Sequence, residues 1–196
     1  MDKKTICALG FFADMLEYPA SLSIWPSGMA ERARECAALL EGDAKDLLAV
    51  FSEDISFKKC GEMEEIFTAT FDFRPDCALH VGAHLFGGGD STGGGDTRRG
   101  IFMAGLNEYY KACGFQFSPG QEMPDHLVVM LRFLCHLERS RSWEAEKEKA
   151  LELVSECIIP TVEKILTALD GNGGKNPYAP LLKAIIIFLA DTEVCK

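Results

Sequence analysis

The chain has 196 residues, 47% of them hydrophobic and 26% charged, and its formal net charge is −10. This length suits one substantial core, and the composition is that of a globular protein rather than a disordered or fibrous one. The negative charge argues against nucleic acid as a partner and favours a basic one, such as a cationic peptide.

Apolar residues recur at helical spacing from the first residues onward. Two lysines precede this stretch, but Asp14 and Glu17 interrupt it, so it makes a poor secretion signal. The eight cysteines form no CxxC pair, which favours a reducing cytoplasm where they serve as small core residues. Helices are predicted over about 5–17, 27–42 with Ser27 as cap and Gly42 as stop, 43–53, and 57–70.

An irregular connection, "FDFRPDCALHVGAHLFGGGDSTGGGD" (71–96), follows, with at most a short helix around its two histidines. His80 and His84 stand four residues apart, a spacing that helical zinc sites use. A third ligand and the glutamate of an HExxH site are missing, however, so capping, packing or partner contact is the favoured interpretation and metal the alternative.

Six glycines lie in the stretch "GGGDSTGGGDT" (87–97). A phosphate-binding loop of the Walker type needs a lysine that this stretch does not contain, and no alternating strand precedes it. Its aspartates would also repel phosphate. The composition therefore predicts a flexible surface loop without bound phosphate or metal.

The second half of the chain also shows a helical period. A helix over 97–114 ends at Gly114 in the left-handed conformation, and the next, "MPDHLVVMLRFLCHLERS" (123–140), is expected to have Pro124 in its first helical position. Nine of the eleven residues from 127 to 137 are apolar, which predicts a central, buried helix. A further helix is predicted over 142–156. At Pro160 this helix either bends or gives way to a new helix that runs to 169, and a last helix is predicted over about 178–190. The expected fold is an all-α, single-domain helical bundle over 1–196.

Several pieces resemble, in order, the nitrate reductase assembly chaperones, the NarJ-like branch of the TorD/DmsD/NarJ family. They are "MLEYP" (15–19), "FTATFDF" (67–73), "CALHVGAHLFG" (77–87), "DTRRGIFMAGLNEYYKACGF" (96–115) and "EMPDHLVVMLRFL" (122–134). The resemblance spans roughly residues 15 to 138. The chain departs from the family pattern at Met123, at Val128 and in the extra glycines of 87–97, which are interpreted as an insertion.

The resemblance implies a TorD-like bundle that acts as a cytoplasmic chaperone, not as an enzyme, and needs no cofactor. Such a chaperone binds the N-terminal segment, a twin-arginine signal or its remnant, of a molybdenum-containing subunit such as a nitrate reductase catalytic subunit. It holds this apo-form large subunit until cofactor is inserted. No nucleic acid and no membrane insertion are expected, and monomer and homodimer both stay open. The alternatives are a small nucleotide-binding or metal-dependent enzyme and a structural scaffold.

No catalytic and no metal-binding residue is expected. The expected peptide- and subunit-binding residues are Pro124, Asp125, His126, His80, His84, Phe86, Arg98 and Arg99. Asp125 and His126 are expected to contact the peptide directly; alternatively, Asp125 only complements a helix dipole and His126 is an ordinary surface residue.

Two further sets leave two interpretations open. Arg98 and Arg99 oppose the dipole of the helix that they begin, so either a partner carboxylate or an ion pair within the chain is expected to offset them. Aromatic and aliphatic residues around the histidines either line a groove for the partner or pack in the core. These are Phe71, Phe73, Leu85 and Phe86.

Overall fold

A computed structural model describes residues 3–19, 27–87, 97–116, 122–140, 143–171 and 175–191, and these ranges contain no β-strand. The all-α prediction is therefore confirmed. The helices are α1 (Lys3–Met15), α2 (Ser27–Leu39), α3 (Gly42–Ser56), α4 (Cys60–Phe67), α5 (Val81–Phe86), α6 (Thr97–Ala112), α7 (Leu127–Ser140), α8 (Trp143–Glu152), α9 (Ile159–Asp170) and α10 (Tyr178–Asp191).

Gly114 follows the end of α6 as the sequence predicts, whereas the predicted helix stop at Gly42 is wrong. Gly114 has φ of 71°, and beyond it the Phe115 N–H bonds back to the Tyr110 carbonyl at 2.8 Å, which satisfies a carbonyl at the end of α6. Gly42 has φ of 61°, but it is the first residue of α3, and α2 already ends at Leu39. A side chain would be strained at either glycine.

Wider π-helical turns occur at two places within the helical run. The segment Thr68–Asp72 extends α4, and Leu153–Ile158 joins α8 to α9. Pro160 lies in the first turn of α9 and has no N–H to donate to the preceding turn, so the widened turn absorbs the missing bond. The expected bend or restart at Pro160 is thus a widened helical turn followed by a new helix.

Helix α7 lies in the interior, as its composition predicts. Nine of its side chains are buried, and it packs against α1. On another side of the core, α10 packs against α3 and α9 and brings Tyr178 against Phe67 and Phe71, with ring centroids 6.0 and 5.0 Å apart. Each large apolar side chain removed from water contributes about 1.5–3 kcal/mol, so these contacts supply much of the stability.

The predicted start of α7 is wrong. Pro124 and Asp125 form a turn outside the helix, His126 precedes it, and Leu127 is its first residue. The backbone explains the difference, because the Asp125 carbonyl accepts from Val81, the first residue of α5, and the Leu127 N–H donates to Leu79 just before that helix. A helix beginning at Pro124 could not make those bonds.

Most of the predicted glycine-rich loop lies outside the described residues, which include only its ends, Gly87 and Thr97. Its flexibility and the extent of a single domain over 1–196 stay predictions. The seven described cysteines form no disulfide, and Cys36, Cys77 and Cys135 are buried. Within the ranges given above, every helix is too short or too polar to cross a bilayer.

Candidate functional site

Two segments that are far apart in the sequence pair through their backbones. The Val81 N–H donates to the Asp125 carbonyl and the Leu127 N–H to the Leu79 carbonyl, both at 2.8 Å. These bonds make an isolated antiparallel bridge between His80 and His126, whose rings lie edge to face with centroids 5.1 Å apart. The "CALH" and "PDHL" pieces therefore form one structure, named here the histidine bridge.

Asp125 lies at the centre of the bridge and is fully buried. Arg99 donates two hydrogen bonds to its carboxylate, Nε to Oδ2 at 2.8 Å and Nη2 to Oδ1 at 3.3 Å. Nδ1 of His80 is 3.6 Å from Oδ1. Burial alone would raise the pKa of Asp125, but His80 and Arg99 outweigh it and lower the pKa to about 2. The carboxylate is therefore ionised and already bound within the chain.

The ion pair at the start of α6 decides between two interpretations of the arginines. Arg99 is offset by Asp125, so the expected intrachain ion pair is found for this residue. Because the Asp125 side chain is buried and engaged, it does not reach the surface to touch a peptide. A contribution of Asp125 to binding would act through Arg99, whose side chain is 29% exposed.

Gly82, the second residue of α5, allows the ion pair to close. A Cβ atom there would lie 2.7 Å from Oδ2 of Asp125 and 2.9 Å from Cγ of Arg99. Both distances are shorter than packed atoms tolerate, so any larger residue would push the pair apart. The close approach of Arg99 to Asp125 therefore requires the glycine of "HVGAH".

His126 ends the bridge and caps α7. Its Nδ1 lies 3.3 Å from the Val128 N–H, and a backbone N–H can only donate, so Nδ1 is unprotonated and accepts. Nε2 therefore carries the proton of the neutral ring and faces Oε2 of Glu122 at 3.6 Å. Burial lowers the pKa of His126 to about 3, and the nearby His80 lowers it too. This imidazole is a buried, neutral cap rather than a surface residue.

His84 has a different set of partners. Its Nε2 lies 2.7 Å from the Ala78 carbonyl, and its own carbonyl accepts a bond from Nζ of Lys164 at 2.8 Å. Burial lowers the pKa of His84. His80 and His84 thus point to separate partners, and the part of the chain that the structure describes contains no group of three His, Cys, Asp or Glu side chains suited to a metal.

Phe86 and Arg98 lie beside the bridge, where α5 ends and α6 begins. The Phe86 ring packs on Phe102 with centroids 5.4 Å apart, and the Arg98 guanidinium lies 6.0 Å from the Phe86 ring centroid. Phe71, by contrast, is a core residue, and Leu85 is partly buried against the core. Phe86 and Arg98 thus form a pair at the surface, whereas Phe71 and Leu85 pack inward.

An acidic rim lies next to the bridge; it consists of Glu17, Asp72 and Glu122. Burial raises the pKa of Glu122, and the negative charges of Glu17 and Asp72 raise it further, while His80 and Arg132 oppose the increase. Two exposed apolar side chains adjoin the rim in sequence, Phe73 at 78% and Met123 at 51% exposure. Exposed apolar side chains therefore stand next to two of the rim carboxylates in the sequence.

The structure brings Pro124, Asp125, His126, His80 and Arg99 together, and it places Phe86 and Arg98 at the neighbouring helix ends. Sequence reasoning missed the roles of three residues, although each lies in a quoted piece. They are Gly82, Glu122 and Tyr110, whose hydroxyl donates to the Pro124 carbonyl at 2.9 Å. The bridge joins these segments and holds the rim beside it. Its buried carboxylate and the His126 ring have hydrogen-bond partners, whereas Nδ1 of His80 is buried without one among the described residues.

Comparison with known families finds a match to the nitrate reductase delta subunit family over residues 29–162, about two thirds of the chain. The matched range contains all the segments that meet at the histidine bridge. A comparison with curated proteins finds no match. Members of the matched family are chaperones for molybdoenzyme assembly rather than catalysts. The chain therefore belongs to the nitrate reductase delta subunit family.

Proposed function

We propose that the chain binds the N-terminal segment of a molybdoenzyme catalytic subunit, such as that of nitrate reductase, in its apo-form. The family match carries this proposal. Binding holds the subunit until its cofactor is inserted and takes place in the cytoplasm, where the apo-subunit is made. The segment is a twin-arginine signal or its remnant, and therefore basic and partly apolar.

The acidic rim beside the histidine bridge supports the choice of a basic segment. Glu122 is 45% exposed, and the carboxylates of Glu17 and Asp72 repel its charge although His80 and Arg132 offset part of that repulsion, so an arginine of the peptide would find an acceptor there. Phe73 and Met123 offer exposed apolar contact beside these charges. Combined with the net charge of −10, which steers cations toward the protein, the rim matches a basic, partly apolar peptide.

The eight expected residues divide into two roles in this proposal. Those with exposed surface, His80, Phe86, Arg98 and Arg99, contact the subunit. The buried residues hold that surface in place: Pro124 accepts from Tyr110, Asp125 binds Arg99, and His126 caps α7. His84 fixes the segment before α5 through Ala78.

Calorimetric titration tests the binding. The probe is a synthetic peptide of the N-terminal segment of the nitrate reductase catalytic subunit from the same organism. We expect Glu122→Gln to weaken binding by roughly three- to tenfold, which corresponds to about 0.6–1.4 kcal/mol for one partly shielded charge contact. Glu53→Gln, an exposed carboxylate on α3, is the matched control and should bind as the wild type does. If Glu122→Gln bound the peptide as tightly as Glu53→Gln does, the rim would not be part of the binding site.

A pull-down tests the holding step. Tagged chain should recover the catalytic subunit from cells that cannot make the molybdenum cofactor and release it when the cofactor is supplied. Equal recovery of apo and cofactor-loaded subunit would contradict the holding role while leaving peptide binding intact.

A further inference from the structure

A groove of about 660 Å³ runs between α1 and α7 and uses none of the eight expected site residues. Three arginines line it, Arg32 of α2 with Arg132 and Arg139 of α7, and its carboxylate is that of Asp14. In a chain with a net charge of −10, this lining is predominantly cationic. The groove therefore suits a ligand of the opposite charge to the basic segment proposed above.

Asp14 orients two of the arginines without using up their donors. Its Oδ2 accepts from Arg32 at 2.6 Å and its Oδ1 from Arg132 at 3.4 Å. Arg132 also pairs with Glu17 on the rim. A guanidinium has five N–H donors, and these side chains are 34% and 46% exposed, so each keeps donors for a further acceptor.

Arg139 supplies a separate positive charge at the other end of the groove. It is exposed in the last turn of α7, and it forms no ion pair with any residue in the described ranges. Seven residues separate Arg132 from Arg139, which is two helical turns or about 10 Å along α7. The positive charges are thus spread along the groove. A small phosphate would instead require them to be clustered around one point.

Apolar surface completes the lining. Ile6, Phe11 and Phe115 contribute side chains, and Gly10 of α1 contributes none. A Cβ atom added at Gly10 would meet nothing within 4 Å, so the glycine opens the floor of the groove. An elongated ligand with carboxylates two turns apart and an apolar residue between them fits these features together.

We propose that this groove is a docking site for an acidic amphipathic helix of a protein partner. Its carboxylates, seven residues apart, bind Arg132 and Arg139, and the apolar residues between them pack on Ile6 and Phe115, which are only partly buried. The helix lies alongside α7, as helices do in grooves of this kind. The site differs from the one in the preceding section in the charge of its ligand, and the two adjoin at the ion pair between Arg132 and Glu17.

Fluorescence anisotropy tests the proposal on the full chain. The probe is a labelled synthetic helical peptide with two glutamates seven positions apart and leucines between them, and the control peptide has lysines in place of the glutamates. We expect the acidic peptide to bind and the lysine peptide not to. Gly10→Leu fills the groove and should weaken binding at least tenfold, whereas Gly61→Leu, at an equally open glycine on α4, should not. Arg139→Glu changes only an exposed residue and should weaken binding similarly.

Equal binding of the lysine peptide, or acidic-peptide binding that survives both Gly10→Leu and Arg139→Glu, would overturn the proposal. Displacement of the peptide by inorganic pyrophosphate at comparable concentration would also overturn it, in favour of a small anion. The basic peptide of the preceding section should still bind Gly10→Leu, so failure at one site is distinguished from failure at the other.

Discussion

The guanidinium of Arg99 closes on the buried carboxylate of Asp125 across 26 residues of sequence, with Nε and Oδ2 2.8 Å apart. This contact joins the start of α6 to the turn before α7, and the backbone of the same turn is hydrogen-bonded to the start of α5. Three pieces of the chain therefore depend on one ion pair. Its loss should disturb the whole bridge.

Replacing the aspartate tests that dependence. Asp125→Asn keeps the shape but removes the charge, leaving Arg99 beside a neutral amide. The Arg99 side chain is partly exposed, so water can still solvate its charge. We therefore expect a loss of only about 1–3 kcal/mol in the free energy of unfolding, measured by urea denaturation. Asp76→Asn, in the exposed pair with Arg74, is the matched control and should change stability little. If both variants unfolded at the same urea concentration, the buried ion pair would not be a major support of the fold.

Gly82 should tolerate substitution by alanine far less well than other helical glycines do. Gly82→Ala places a methyl group against Asp125 and Arg99, and we expect a destabilisation of about 1–3 kcal/mol. Gly105→Ala, in the interior of α6 with open space around the added carbon, should instead stabilise by roughly 0.5–1 kcal/mol. Thermal melts of the two variants should shift in opposite directions. A shift upward for both would show that the bridge has room to adjust.

Two buried tyrosines should respond differently to loss of their hydroxyl groups. Tyr110 donates to the Pro124 carbonyl, so Tyr110→Phe leaves that carbonyl without its bond and should cost about 1–2 kcal/mol. The Tyr178 hydroxyl is buried without a hydrogen-bond partner in the described part of the chain. Tyr178→Phe removes an unsatisfied polar atom and should leave stability unchanged or raise it by up to about 1 kcal/mol. A loss from Tyr178→Phe as large as that from Tyr110→Phe would reveal a partner for its hydroxyl.

Local pattern predicted the helices because their apolar spacing is a property of neighbouring residues. Thus the central position of α7 and the end of α6 at Gly114 were predictable. The turn at Pro124 was not, because proline and aspartate suit a helix start equally well. What decides there is the pairing of the turn with distant segments, through its backbone bonds to Leu79 and Val81 and the ion pair of Asp125 with Arg99, none of which local sequence reveals. The need for Gly82 was hidden for the same reason.

The neutral cap formed by His126 makes the fold sensitive to acid. In the folded chain the pKa of His126 is lowered to about 3, whereas an unfolded histidine has a pKa of about 6.5. Between these values the unfolded chain binds a proton that the folded chain does not. Stability should therefore fall as pH decreases below about 6.5, by roughly 1 kcal/mol per pH unit at first, and His84 acts in the same direction. Asp125 adds a further loss only below about pH 4, as pH approaches its folded pKa of about 2.

His126→Asn isolates the histidine contribution. Asparagine can also cap a helix but does not titrate, so the variant should keep most of its stability near neutral pH. We expect urea denaturation at a series of pH values to give a shallower decline between pH 6.5 and 4.5 for His126→Asn than for the wild type. His136→Asn is the control, because that imidazole lies elsewhere on α7, 3.0 Å from the Cys113 carbonyl. Parallel pH profiles for wild type and His126→Asn would mean that the cap is not the acid-sensitive element.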